Sequence, residues 1–280
     1  MENEKKFDLA KNWYKILIVL VSIITILSLS FANIDQKGEE VVEDSLTEAV
    51  IVFGIAKGLN AAISLAQGTE ISPPGITISI GEVLDPINDL VEQFSWIMLA
   101  SITSLGIQKI LMNFVTADIF TFLVIISLIV FNIWMFIRFK NDSKPRSIFF
   151  KITILLIFLR FSVPVMSLLN SSVYANFVQP DYNIQTNKEM VNKSSDTISN
   201  IANDSMQNEE KKGFFNSITN IFDVDYYKTK VDQYQDATEE TSKYILDLIV
   251  AFSFKAIIFP LIFLFVLYHL VRIVFKVNNN

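Results

Sequence analysis

Two apolar runs, residues 119–139 and 148–169, enclose a short loop, residues 140–147, and this hairpin limits the chain more than any other stretch. A helix rises about 1.5 Å per residue, so about 20 apolar residues cross a hydrocarbon core of roughly 30 Å. The loop and its flanks carry Arg138, Lys140, Lys144, Arg146 and Lys151 against one acid, Asp142. Short loops rich in Lys and Arg stay on the cytoplasmic side. The hairpin therefore predicts an integral membrane protein and sets the side on which every other segment lies.

The rest threads from it. Lys5, Lys6, Lys11 and Lys15 precede an apolar run over 16–32, so the N-terminus (1–15) is expected inside and the first span runs outward. A competing possibility is a signal sequence, with an apolar region over 16–29 and a small-residue site at Ser30-Phe31-Ala32; the later topology is the same. The last span, 244–271, ends on Arg272 and Lys276, and 272–280 is again cytoplasmic. The expectation is an all-α polytopic protein of four transmembrane helices, both ends cytoplasmic. Its helical extracytoplasmic domain is formed by two segments, 33–118 and 170–243. Counted to the flanking acids, these hold 12 acids against 3 bases (33–118) and 13 against 7 (170–247). So acidic an outer face excludes nucleic acid as a partner and disfavours anionic headgroups on that side. The Lys-, Asn-, Phe- and Ile-rich composition suggests a bacterial inner membrane.

The first outer segment begins acidic, with Asp35, Glu39, Glu40, Glu43, Asp44 and Glu48, and a helix is expected from near Glu39. Gly54, Gly58, Ala62 and Ala66 recur every four residues, a small-residue ridge that lets another helix approach. Lys57, Asn60, Ser64 and Gln67 form a narrow polar stripe nearby, either functional or simply wetted. Ser72-Pro73-Pro74-Gly75 breaks the helix, and 76–80 alternates as a short extended piece. Asp85-Pro86 has the form of a helix start, Asp as N-cap and Pro at the first position, leading to about residue 113. Ser101, Ser104 and Gln108 share a face of that helix. The apolar stretches 49–66 and 94–114 could pack outside the membrane, dip into it, or cross as a pair. Lys57, in the middle of one, favours four spans over six.

In the second outer segment, Ile198, Ile201 and Met206 suggest a weak amphipathic helix. From Val224 the chain steps through Tyr227, Val231, Tyr234, Thr238, Thr241, Ile245 and Leu248 by threes and fours, a coiled-coil-like seam. No Gly or Pro separates it from the last span, so one long helix is expected. Its seam should pack on 39–67, on 85–113, or on another subunit.

Arg160 and Lys255 lie inside spans, each followed by a proline four or five residues on (Pro164, Pro260) that frees a carbonyl. One interpretation is a cationic ring drawing anions through an oligomeric pore. The other is structural: Lys255 snorkelling outward or paired with Asp247 or Asp118, Arg160 capping freed carbonyls. The cluster Glu39, Glu40, Glu43, Asp44 lacks the alternating ligands and Gly of a calcium loop, so no metal site is expected. There is no cysteine, and one histidine, His269. No phosphate loop, nucleophile elbow or zinc motif is found, so neither an enzyme nor a cofactor is expected. The functional expectation is a non-enzymatic oligomeric channel or transport component with an anion-attracting site. The alternative is an envelope scaffold that binds partners through its outer helices. The partners expected are the lipid bilayer and further copies or other envelope proteins.

Overall fold

Long stretches of straight-chain and branched apolar residues, with few Gly or Pro, have no better use for their backbone groups than a helix, least of all in lipid. The chain follows that rule. The computed structural model describes residues 9–29, 33–68, 80–137, 143–210 and 224–276, which are nearly all helical and contain no strand. In order they form α1 (Leu9–Leu29), α2 (Asn33–Gln67), α3 (Ile80–Thr116), α4 (Asp118–Phe136) and α5 (Ser143–Val173). A π-helical turn (Tyr174–Val178) extends α5. Then come α6 (Ile184–Glu210), α7 (Val224–Phe252), a second π segment (Ser253–Ile258) and α8 (Phe259–Lys276). Among the described residues five helical stretches are long and apolar enough to cross a membrane: Asn33–Gln67, Gly81–Thr116, Asp118–Phe136, Ser143–Val178 and Lys228–Phe275. The apolar part of α1, Lys15–Ser28, is shorter.

Several expectations fall outside the described residues: the Ser30–Ala32 site, the break at 72–75, the extended piece over 76–79, and Arg138 to Asp142 of the basic loop. So do the side chains of Lys11, Met206, Val224, Tyr227 and Lys276.

Two helix starts differ from expectation. α2 begins at Asn33 rather than near Glu39. Asp85 does not cap α3, which starts at Ile80 and holds Pro86 inside it. The Asp85 carboxylate instead accepts a hydrogen bond from Gln67 Nε2 at 3.1 Å. Pro86 lies in the second turn of α3, where it forfeits a backbone bond and crowds the carbonyl four residues back, and the apolar Val83 and Leu84 offset that loss by packing against the core.

The chain divides into two compact units. The first is Met1–Glu43, Ile107–Leu169 and Ile262–Asn280. Its core holds Val42, Met112, Val115, Phe120, Val124, Leu128 and Val163. At one end of this unit Lys15 lies over the Phe136 ring, Arg146 donates to Met135 O, and Lys151 lies over the Phe275 ring. At the other end α2 enters. Asp35 meets Arg160, and Gly38 O accepts from Ser167 Oγ at 2.9 Å. α2 thus runs in the same direction as α5, away from the basic end. Met112 touches Gly38 and Lys109 pairs with Glu43, so α3 runs antiparallel to α2. A Cβ on Gly38 would stand 3.1 Å from Met112 Cε and 3.2 Å from Pro164 Cα, which explains a glycine where three helices meet.

The second unit is Asp44–Gly106 and Asn170–Leu261. Its core draws on α2 (Val52, Leu59, Ile63), α3 (Leu84, Val91, Phe94, Met98), α6 (Val191, Ile198) and α7 (Tyr234, Ile245, Leu248). The seam is real where described: Tyr234, Thr241, Ile245 and Leu248 are buried, with Val231 and Thr238 half-buried. Its main partner is α6, which the sequence alone marked only as weakly amphipathic. On α6, Ile184, Asn187, Val191 and Ile198 are buried. Their steps of three, four and seven place them on one stripe, but polar residues between them dilute the pattern.

Candidate functional site

The residues singled out as intramembrane charge are both neutralised inside the chain. Arg160 is 2 % exposed. Its Nη1 donates to Asp35 Oδ1 at 2.8 Å, its Nη2 to Oδ2 at 2.5 Å, and its Nε to Thr121 Oγ1 at 3.3 Å. Arginine's planar fork suits a carboxylate held by two parallel bonds, and such pairs are among the stronger ones. The side chain therefore does not cap carbonyls. It ties α5 to the start of α2 and the start of α4.

Lys255 pairs with neither Asp247 nor Asp118. Its Nζ donates to Glu48 Oε2 at 3.0 Å and stands 5.1 Å from the Tyr174 ring centroid. The Lys255 side chain is 12 % exposed and that of Glu48 26 %. Both basic residues thus find acids from α2, in positions that lie over a hundred residues away in sequence. No local signal identifies Asp35 or Glu48 as the partners; both read as members of an acidic helix start.

Pro260 explains two polar residues beside Lys255. Without an N–H, Pro260 cannot bond the carbonyl four residues back, Ala256, or the one five back in π register, Lys255. Asn170 Nδ2 donates to Lys255 O at 2.7 Å, and Ser104 Oγ donates to Ala256 O. Each freed carbonyl has a side-chain donor. Ser104 was singled out for its face of α3; its use here is to close the break that proline opens.

Tyr174 begins the π turn and is itself held. Its hydroxyl donates to Tyr182 O and accepts from Ile184 N, both at 3.3 Å, fixing the start of α6. Burial pushes its phenol up from the ordinary range, with the Ile184 bond opposing and the Glu48 charge adding to the rise. Tyr234 in the seam is fully buried with no partner for its hydroxyl among the described residues, and burial pushes its phenol up to about 12.

The remaining candidates do not converge on one place. Lys57 and Ser64 are exposed, while Asn60 and Gln67 are half-buried. Lys57 leans over the Phe53 ring at 5.4 Å, Ser64 Oγ donates to Asn60 O, and Gln67 meets Asp85. The small-residue ridge is split. Ala62 and Ala66 are buried, but a Cβ on Gly54 or Gly58 would meet nothing within 4 Å. A four-residue step overshoots one helical turn, so the row drifts round the helix and its two halves face different surroundings. On α3 the Ser101 hydroxyl and Gln108 Nε2 are buried without partners among the described residues. Glu43 of the acidic cluster pairs with Lys109, and no grouping of side chains among the described residues could hold a metal ion. His269 is exposed and stacks on Phe265.

No family model, curated protein or solved structure matches the chain.

Proposed function

We propose that this chain is a non-enzymatic, multi-pass membrane subunit of scaffold type, which binds envelope partners through its outer helices. The observation that carries this is the saturation of Arg160 and Lys255 by Asp35 and Glu48. A cation matched by a carboxylate at hydrogen-bond distance adds little net potential for a passing anion. What it adds is a tie between helices, which suits a frame. In this reading four spans, 16–32, 119–139, 148–169 and 244–271, cross the bilayer. From Phe136 to Thr121 α4 climbs fifteen residues, about 22 Å. The start of α2 meets Arg160 at that height. In this reading residues 33–118 and 170–243 are extracytoplasmic. The basic end faces the cytoplasm of a bacterial inner membrane.

The test has two arms. Single cysteines at Lys57 and Ser143, in a chain without native thiols, should label from outside and from inside respectively with an impermeant maleimide. Photo-crosslinkers at the exposed Val50 and Trp96 should give defined higher-mass adducts in native membranes. Absence of any adduct from both positions overturns the scaffold proposal.

A second proposal, an oligomeric channel, draws on the bare Gly54 and Gly58 beside the exposed Lys57. It requires ion flux in liposomes that changes sign of selectivity on Lys57→Glu. Electrically silent liposomes exclude it.

A further inference from the structure

The basic end of the first unit has an arrangement that the scaffold proposal leaves unused. Lys15 of α1 comes to the last turn of α4 and lies 5.8 Å from the Phe136 ring centroid. Arg146 of α5 reaches the same turn, with Nη2 3.5 Å from Met135 O and its guanidinium 5.2 Å from the Phe150 ring centroid. Lys151, one and a half turns along α5, lies 5.8 Å from the Phe275 ring centroid of α8. Each cation is braced against an aromatic face, a contact that orients the side chain without cancelling its charge. The described acids of this unit lie elsewhere. Asp35 and Glu43 are paired with Arg160 and Lys109, Glu39 and Glu40 lie between them on α2, and Asp118 starts α4 at its opposite end. No ion pair involves Lys15, Arg146 or Lys151 among the described residues. Trp13, two residues before Lys15 on α1, is exposed, and Trp134 packs on Phe149 one residue before Met135. Tryptophan is enriched at headgroup level in membrane proteins.

Cations braced on aromatic rings, with no carboxylate partner among the described residues and with tryptophans close by in sequence, fit one occupant. We propose that this end of the first unit binds anionic phospholipid, with Lys15 and Arg146 taking the phosphate beside the end of α4 and Lys151 extending the site toward α8. The lipid would fasten α1 to the α4–α5 hairpin where the connecting chemistry is otherwise apolar. This proposal needs the chain to lie in a bilayer; it does not need the scaffold proposal, and the two can fail separately.

The experiment uses the full chain in nanodiscs of phosphatidylcholine with phosphatidylglycerol, gently released and weighed by native mass spectrometry. Retained lipid should be enriched in phosphatidylglycerol relative to the nanodisc. Lys15→Gln, Arg146→Gln and Lys151→Gln should each lower that enrichment by about fivefold, the effect of roughly one basic residue at an anionic surface. Lys57→Gln, an exposed cation of the other unit, should leave it unchanged. Lys15→Arg should restore it, which separates lost charge from lost folding. The proposal is overturned if phosphatidylglycerol is not enriched, if Lys57→Gln lowers enrichment as much, or if inorganic phosphate displaces the lipid. That last result would mark a site for a free anion.

Discussion

Arg160 and Asp35 meet through two parallel hydrogen bonds, 2.8 and 2.5 Å long, across 125 positions of sequence. Burying two charges is costly and repays only with good geometry, so such a pair specifies an arrangement more than it stabilises one. Breaking it from one side is another matter, because a buried charge is left alone. Asp35→Asn or Arg160→Leu should each destabilise the protein by about 3 kcal/mol. Asp35→Leu combined with Arg160→Leu should cost less than either change alone. Thermal unfolding in a fixed detergent, read by circular dichroism, measures the series.

Ser104 and Asn170 should matter only because of Pro260. Ser104→Ala leaves Ala256 O without its donor and should cost about 1–3 kcal/mol. Pro260→Ala restores a backbone N–H that can serve that carbonyl, so Ser104→Ala on the Pro260→Ala background should cost clearly less. Equal costs on both backgrounds would refute the link. A double-mutant cycle by denaturant unfolding gives the coupling.

Gly38 and Gly54 should respond in opposite directions. At Gly38 a methyl group meets Met112 and Pro164 backbone, so Gly38→Ala should destabilise by about 1–3 kcal/mol. At Gly54 the space is open, so Gly54→Ala should stabilise the helix by about 0.5–1 kcal/mol. If Gly54→Ala instead lowers oligomer mass in native membranes, that face of α2 is a subunit contact.

Tyr234 predicts a loss of stability at high pH. Burial pushes its folded phenol up to about 12 from an ordinary 10.0. The folded state therefore favours the protonated form, and this stability is fully present below pH 10. It is lost as pH rises through the folded value, by on the order of 2 kcal/mol. Tyr234→Phe keeps the ring in the seam and removes a hydroxyl that has no partner. It should be near neutral at pH 8 and should flatten the decline between pH 10 and 12, followed by melting temperature.

Apolar run length is a local property, and it carried far. α4, α5 and the helix from α7 through α8 lie close to where periodicity and run length put them, because hydrocarbon tolerates little but a helix. The seam through Tyr234, Ile245 and Leu248 was legible for the same reason. Its partner was not: the stripe on α6 is diluted by polar residues, and only packing showed which helix it meets. The ridge at Gly54 read as a contact, and among the described residues its Gly54–Gly58 half meets nothing within 4 Å, since four-residue spacing cannot say which way a face points. Above all, a charge within an apolar run announces that it needs a partner but not which one. Asp35 and Glu48 look like any acids at a helix start until the fold brings Arg160 and Lys255 to them, and that choice depends on desolvation and distance in three dimensions.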